Sequence, residues 1–586
     1  MKKNIKKIVS LLLVTLMLVN CVSCTPGSKN TSTAYQYKSS SFEEFTNDLF
    51  ANEVTNDSIT LNYTLAHPEN FGITEVVPSY GFMDIEKVDD DSQTIEALKT
   101  LKKFKYESLT EDEQLTYDIL KDYLETYLEY SDMYLYDKTL SPTIGLNCQL
   151  PVILAEYSFR TNDDVYDYVE LLEQTDKYFD FLLQLEQLKS ENGLFMMDEI
   201  ADMIIEQCNN FAENPDDNYL IEIFNDKIDG MDFPENEKNT LKARNMSAVL
   251  EHVIPAYTNL AKGLEELKGT GRYEGGLCNY PDGEKYYEYL VLQGTGSKRS
   301  IKEIETLLDD YMVKSYTQMG TALRESPDIF ELVQNASFGL DDPYEILTDL
   351  QKRISKEFPK APDTNYTIKY VHESLEDNLS PAFYMTPAID DYKENVVYIN
   401  NSDNYEGQEI YTTLAHEGFP GHLYQTVYTN SKGIAPVRSI INYPGYTEGW
   451  ATYVELLSYN MGAIEPLYGS FLSANQLIVL ALYAKCDIGV NVHGWGIDDV
   501  SKYVASIFGE MDREIIEEIY YSMVSEPANY LKYVVGCLEF MELRNTAEQA
   551  LGNKFDPVAY HDFILTTGPA PFYIISDRLN TWISRQ

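Results

Sequence analysis

Apolar and aromatic residues repeat at helical spacing along much of this chain, and this pattern restricts its fold more than any other feature. Leu115, Ile119 and Tyr123 recur every four residues after Thr110 and Glu113, which match a helix N-terminal capping box. Similar spacing runs through VYDYVELLEQTDKYFDFLLQLEQL and SIKEIETLLDDYMVKSYTQM, whereas strand-like alternation is scarce. The sequence therefore predicts a large, mainly α-helical fold.

Two short segments are exceptions to the helical pattern. AFYMTPAI (382–389) and NVVYIN (395–400) are rich in β-forming residues and are joined by a polar stretch, so they predict a small hairpin before the first histidine motif. LIVLALYA (477–484) is apolar but flanked by polar residues, and its length predicts a buried helix rather than a membrane span.

The first 40 residues have the composition of a secretion signal and a tether. Lysines precede a short apolar run that ends in CVSC, which is typical of a signal peptide over residues 1–24. Because Ser23 precedes Cys24, we predict that Cys24 carries a lipid anchor at the extracellular face of a bacterial membrane. Residues 25–40 are predicted to be a polar tether. A plain secretory signal is the alternative.

Net charge and cysteine content exclude two further classes. The chain has 45 Lys and Arg against 94 Asp and Glu, a net charge of −49, which repels nucleic acid. Five cysteines follow the N-terminal pair, and their wide, irregular spacing indicates neither a disulfide framework nor a cysteine metal site.

LAHEGFPGHLYQ (414–425) is close to the HExxH motif of zinc peptidases, but its second histidine comes two positions late. On a regular helix His416 and His422 point roughly 120° apart and cannot share a metal. Pro420 conflicts with the backbone carbonyl of His416, while Gly418 and Gly421 make a local deformation inexpensive. A widened turn could bring both imidazoles to one metal; the alternative is two ordinary histidines beside a kink.

A third ligand is expected from another helix, because catalytic zinc commonly has three protein ligands and one open position. YTEGWATYVELL (446–457) contains Glu448 and, seven residues later, Glu455 on nearly the same helical face. The neighbouring Trp450 and Tyr453 indicate burial, and a buried carboxylate needs a partner. We predict that Glu448 binds the metal and that Glu455 supports a ligand.

HEGFPGHLYQ together with EGWATYVE resembles the bacterial domain of unknown function 885 family, which shows HExxPGH followed by EGWA and is grouped with gluzincin-type metallopeptidases. Segments 275–293, 527–544 and 560–583 resemble the same family. The resemblance implies a mostly helical, gluzincin-like fold with Zn²⁺ in a deep cleft. It divides the chain into an N-terminal helical region, 41–270, and a catalytic region, 271–586.

Within that resemblance, His416, His422 and Glu448 correspond to the metal ligands. The sequence departs from the family near DIGVNVHGW, where Asn491 occupies a position at which the family tends to have histidine, and His493 lies two residues on. If that position contacts substrate, either substrate specificity is expected to differ or His493 substitutes for the missing histidine.

The function predicted on this basis is a lipid-anchored zinc peptidase. Glu417 is the expected general base, and Tyr533 is expected to stabilise the oxyanion, since related peptidases use a tyrosine or histidine from a later helix. Arg544 and Arg438 are candidates for binding a peptide carboxylate, although each also fits a structural ion pair. Two alternatives remain open: a non-catalytic surface lipoprotein that binds peptides or glycans, and a zinc hydrolase of a non-peptide amide.

Overall fold

The computed structural model describes residue 37 and residues 39–74, 76–371, 376, 379–402 and 410–586. The predicted signal peptide, Cys24 and most of the predicted tether lie outside these residues. Their assignments stay predictions.

Helices make up most of the described chain, as the periodicity predicts. The Thr110–Glu113 capping box is confirmed, with both reciprocal hydrogen bonds formed. The α-helices are α1 Phe42–Val54, α2 Ser58–Thr64, α3 Ser92–Leu101, α4 Glu111–Tyr130, α5 Leu146–Glu156, α6 Asn162–Leu172, α7 Thr175–Glu191, α8 Asp198–Ala212, α9 Tyr219–Asp229, α10 Glu235–Ala248, α11 Ile254–Leu267, α12 Gly283–Thr295, α13 Ile301–Glu325, α14 Ile329–Leu332, α15 Pro343–Ile354, α16 Tyr411–Glu417, α17 His422–Ser431, α18 Pro444–Ser458, α19 Pro466–Asn491, α20 Ile497–Phe508, α21 Arg513–Ser525, α22 Leu531–Leu551, α23 Pro557–Thr567 and α24 Phe572–Ser584.

A small sheet contains the three strands of the described residues: β1 Asn365–Tyr370, β2 Ala382–Met385 and β3 Glu394–Ile399. β2 pairs antiparallel with β3, which confirms the predicted hairpin. β1 pairs parallel with the other edge of β3, giving the order β1-β3-β2. β1 was not predicted from the sequence, because its side chains are mostly exposed and show no apolar run.

The sheet lies between two groups of buried apolar side chains. Alternate residues of a strand point to opposite faces. Tyr384 and Val397 accordingly pack into the first core, while Phe383 and Tyr398 pack into the second. This arrangement places β2 at the boundary between the two cores.

The two cores are built from different parts of the chain. The first combines residues 37–133 with residues 277–579, and the second is formed mainly by residues 140–264. The segment before residue 133 therefore packs with the C-terminal part of the chain. The division at residue 270 stays a prediction.

α19 contains the apolar stretch 477–484 and is largely buried in the first core, as predicted. Within the described part of the chain, it is the one helix whose length and composition would suffice to cross a membrane. Its burial against α13 and α21 accounts for its apolar character.

Candidate metal centre

The histidine motif forms two helices rather than one. α16 ends at Glu417, α17 begins at His422, and residues 418–421 form the turn between them, with a cis peptide at Phe419–Pro420. The predicted deformation at Pro420 is therefore present, but it is a break between helices and not a widened turn within one.

The break is held in place because the backbone at Gly421 lies very close to the backbone of His416. A Cβ atom on Gly421 would lie 1.6 Å from the carbonyl oxygen of His416, so no other residue fits this position without a shift. The indole nitrogen of Trp450 donates a 2.8 Å hydrogen bond to the carbonyl oxygen of Pro420. Since Trp450 belongs to α18, this bond ties the turn to the helix that carries Glu448.

The break brings both imidazoles to one carboxylate. Oε2 of Glu448 lies 3.7 Å from Nε2 of His416 and 3.4 Å from Nε2 of His422. The two rings have their centroids 4.9 Å apart and their planes at 78°. Candidate ligand atoms of His416, Glu417 and His422 also lie within 4.8 Å of one another. The side chains predicted as ligands thus converge.

The remaining ring nitrogen of His416 faces a second carboxylate. Nδ1 of His416 lies 3.0 Å from Oε2 of Glu455, and Oε1 of Glu455 accepts a 3.2 Å hydrogen bond from Nε2 of Gln476. With its Nδ1 proton directed at Glu455, a neutral His416 presents a lone pair on Nε2 towards Glu448. Glu455 therefore orients His416, in agreement with its predicted place.

His422 differs from His416 in this respect. Its Nδ1 is buried and has no hydrogen-bond partner among the described residues. A proton on Nδ1 leaves the Nε2 lone pair of His422 also directed at Glu448. When both imidazoles are neutral, their two lone pairs and a carboxylate oxygen face one point, and such a set of acceptors suits a cation.

The spacing and chemistry of these donors fit zinc. Bonds of about 2.0 to 2.1 Å in tetrahedral geometry separate neighbouring ligand atoms by roughly 3.3 Å, close to the observed 3.4 and 3.7 Å. Two imidazoles and one carboxylate are also the ligand set of one common class of catalytic zinc site. The residues present therefore fit the metal that the sequence predicts.

Mutual attraction governs ionisation in this cluster. Burial alone would lower the pKa of His416, but hydrogen bonding to Glu448 and Glu455 raises that pKa well above its usual value. Burial alone would raise the pKa of Glu448, yet His422 and His416 hold it far below its usual range. Glu448 is therefore ionised and available to a cation.

Glu417 is positioned by the sheet. Its Oε2 accepts a 2.9 Å hydrogen bond from the backbone N–H of Tyr384 in β2. Burial raises the pKa of Glu417 above its usual value, with the two histidines partly opposing this effect. A carboxylate with a raised pKa is better suited to accept a proton near neutral pH than an ordinary glutamate.

Tyr533 lies in the first turn of α22, which packs directly on α18. A Cβ atom on Gly449 would lie 2.4 Å from the backbone of Gly536, so these two helices touch through their glycines. The hydroxyl of Tyr533 is buried without a partner among the described residues. Burial, and then the negative charge of Glu448, raise its pKa well above the usual value, so the hydroxyl remains a proton donor.

The two candidate arginines are engaged elsewhere. Arg438 is buried, and its Nη2 donates to the carbonyl oxygens of Thr567 and Pro569 at 2.5 and 3.1 Å. Arg544 donates to the hydroxyl of Tyr453 at 2.8 Å and pairs with Glu357 and Glu548. These contacts agree with the structural alternative for both arginines, and their binding of a peptide carboxylate stays a prediction.

Asn491 and His493 also make structural contacts. The amide of Asn491 is buried, donates to the carbonyl of Met523 at 2.9 Å and accepts from the backbone N–H of Leu277 at 3.0 Å. His493 lies at the surface and pairs with Glu305 at 2.8 Å. Asn491 therefore takes part in an internal hydrogen-bond network.

Residues 85–579 match the family model described as "Bacterial protein of unknown function (DUF885)". The chain belongs to the DUF885 family. No curated protein matches its sequence. The candidate metal ligands of this DUF885 chain, like most of its first core, lie within the matched residues.

Two solved structures share the fold of this DUF885 chain. A "putative lipoprotein" from Colwellia psychrerythraea superposes with a TM-score of 0.83 at 20% identity, over 93% of this chain and 99% of the other. A "putative lipoprotein of unknown function" from Shewanella oneidensis gives a TM-score of 0.63 at 16% identity, over 92% and 100% of the two chains.

Three contributors to the candidate centre were not predicted from the sequence. They are the backbone N–H of Tyr384, the amide of Gln476 and the contact of Gly449 with Gly536. Tyr384 lies 33 residues from Glu417, and nothing in its side chain indicates a backbone contact. The glycine contact had a signal, because Gly445 and Gly449 are spaced four apart on one helix face, where small residues allow close approach.

Proposed function

We propose that this protein is a zinc-dependent peptidase, with His416, His422 and Glu448 as metal ligands and Glu417 as general base. The proposal is supported above all by the convergence of two imidazole nitrogens and one ionised carboxylate oxygen, spaced as a tetrahedral zinc site requires. A gluzincin-like arrangement with the metal in a deep cleft belongs to the same proposal.

Zn²⁺ bound there would act as a Lewis acid that polarises a carbonyl group and lowers the pKa of a water molecule. Glu417 takes the proton from the attacking water and later delivers it to the departing amine. Its contact with Tyr384 N–H leaves one carboxylate oxygen for this transfer. Throughout these proton transfers, Glu455 fixes the tautomer and orientation of His416.

Tyr533 supplies a hydrogen-bond donor for the negative charge that develops on the scissile carbonyl. Its buried hydroxyl has no competing acceptor among the described residues. The raised pKa keeps the proton in place beside the negative cluster. An oxyanion with such a donor is stabilised more strongly than the neutral carbonyl from which it forms.

We also propose that the protein is anchored by a lipid on Cys24 and faces the outside of a bacterial membrane. The N-terminal signal pattern supports this, and so does the description of two structural relatives as lipoproteins. Mass spectrometry of the mature N-terminal peptide should find a diacylglyceryl group on Cys24. An unmodified terminus, or a lipid on Cys21, would contradict the assignment.

Replacement of Glu417 by Gln tests the catalytic role. The amide can still accept the bond from Tyr384 N–H, but it cannot take a proton, so hydrolysis should slow by about 10² to 10⁴-fold. Zinc content, measured by elemental analysis, should remain at one per chain. Glu331→Gln, a change at an exposed glutamate, is the control and should behave as wild type.

The substrate panel for this comparison contains mixed peptides and acyl amides, which separates a peptidase from a hydrolase of other amides. Peptide hydrolysis that survives within a few fold in the Glu417→Gln protein would mean that another group is the base. Wild-type protein with one zinc per chain and no hydrolysis of either substrate class would contradict the enzyme assignment.

A further inference from the structure

The segment that places Tyr533 is a short turn between two helices. α21 ends at Ser525 and α22 begins at Leu531, so residues 526–530 set the position of the first turn of α22. Ala528 within this turn has φ of +65°, a left-handed conformation that residues with a Cβ rarely adopt. Such a turn needs contacts that hold it.

Glu526 joins this turn to the second core. Its Oε1 accepts three hydrogen bonds from the loop before α5: from Ser141 Oγ at 2.9 Å, Thr143 N at 3.0 Å and Ile144 N at 3.0 Å. The side chain is buried, with a residue exposure of 3%. Two backbone donors and one hydroxyl of the loop therefore share a single acceptor oxygen, although Ile144 N–H also contacts Ser141 Oγ at 3.3 Å.

A second carboxylate holds the same turn from the first core. Oδ1 of Asp487 accepts from the backbone N–H of Ala528 at 3.0 Å, and also from Tyr287 Oη at 2.6 Å. The strained residue is thus fixed by α19, while Glu526 fixes the start of the turn to the loop. These two carboxylates therefore fix the turn from which α22 begins.

We propose that Glu526 is a positioning residue for Tyr533, acting through the loop 141–144 and the turn 526–530. The inference rests on the proposed function, because it gives Glu526 a role in catalysis only if Tyr533 has one. The required property is an acceptor oxygen and not a negative charge, since all three donors meet Oε1 and Oε2 has no partner among the described residues.

Two substitutions of Glu526 separate the role of an acceptor oxygen from the role of a negative charge. Glu526→Gln keeps an acceptor oxygen in the same place and should preserve kcat within about threefold. Glu526→Leu has no acceptor and leaves the loop donors unsatisfied, so kcat should fall by about tenfold or more while KM and zinc content change little.

Glu539 provides a matched control on the same helix. It is also a buried carboxylate that accepts from a loop, from Ser297 Oγ at 2.5 Å and Arg299 Nε at 2.8 Å, but it lies six residues after Tyr533. Glu539→Leu should lower the melting temperature by a similar amount and leave kcat close to wild type.

A second readout needs no enzymatic activity. With 3-fluorotyrosine at position 533, ¹⁹F NMR should give one sharp resonance in the wild-type, Glu526→Gln and Glu539→Leu backgrounds. The resonance should shift or broaden in Glu526→Leu. If Glu526→Leu does not fold, Glu526→Asp, which keeps the charge but withdraws the oxygen by one methylene, should give the same altered resonance.

The outcomes separate the two claims. A wild-type protein without hydrolytic activity overturns the proposed function and leaves the NMR comparison intact as a test of positioning. An unchanged resonance in the Leu and Asp proteins overturns the positioning role. Loss of kcat in Glu526→Gln as large as in Glu526→Leu also overturns it, since the charge would then be the active property.

Discussion

Buried carboxylates in this protein differ in the groups that stabilise their negative charge. Glu448 faces two imidazoles and is ionised, whereas Asp487 receives hydrogen bonds only from neutral groups: Tyr287, Asn491 and the backbone of Ala528. Burial therefore raises the pKa of Asp487 to about 7. Asp487, near the end of α19, therefore changes its protonation state close to neutral pH.

The free energy of unfolding should therefore depend on pH through the pKa of Asp487. In the unfolded chain Asp487 titrates near pH 4, so the folded protein holds the proton more tightly. The resulting stabilisation is fully present below about pH 4 and is lost as the pH rises to about 7, a change of ~4 kcal/mol. Urea unfolding at several pH values should show that Asp487→Asn lacks this part of the decline. A difference between the two proteins that is constant with pH would contradict the assignment.

At the scale of elements, the centre depends on how closely α18 and α22 approach. A Cβ on Gly449 of α18 would lie 2.4 Å from the backbone of Gly536 of α22, and a Cβ on Gly536 would lie 2.1 Å from the carbonyl oxygen of Gly445. Glu448 and Tyr533 are carried by these two helices. The separation of the helices therefore sets the separation of the proposed ligand and the proposed oxyanion donor.

Gly449→Ala tests this contact. The added methyl group would lie 2.4 Å from the backbone of Gly536 and force the helices apart, which typically costs about 1 to 3 kcal/mol. We expect a lower melting temperature and weaker zinc binding. Gly320→Ala is the control, because Gly320 lies within α13 with nothing near its Cβ position. It should be neutral or stabilising, and an equal loss in both proteins would contradict the account.

The elements that could be predicted from sequence are those with a local signal. The helices follow from their apolar spacing, the β2–β3 hairpin from its composition, and the candidate ligands His416 and His422 from a motif. β1 and the break at 418–421 depend on distant partners: β3 for the first, and Trp450 of α18 for the second. The sequence could not distinguish the two roles of Arg438, because a guanidinium fits backbone carbonyls as well as a substrate carboxylate.

At the scale of the whole molecule, the centre lies where the two cores meet. Tyr384 of the sheet contacts Glu417, and Glu526 contacts the loop of the second core. The first core also requires residues 37–133, which pack among residues 277–579. Residues from both halves of the chain therefore support the same site.

A fragment of residues 271–586 should for this reason fail to fold alone. Removal of the earlier residues exposes apolar side chains that Phe45, Phe50 and Ile119 cover, and exposed apolar area of this kind favours aggregation. Circular dichroism and thermal unfolding of the fragment, compared with residues 40–586, check the expectation. A cooperative transition in the fragment would instead support a domain boundary at residue 270.

We propose that His416, His422 and Glu448 hold one zinc ion. Crystals of residues 40–586, grown with equimolar zinc and measured on both sides of the zinc absorption edge, would locate the ion. We expect one strong anomalous peak about 2.0 to 2.1 Å from Nε2 of each histidine and bonded to a Glu448 oxygen, and its loss in Glu448→Gln crystals. Absence of a peak there in the wild-type protein, or a peak bound elsewhere, would contradict the claim.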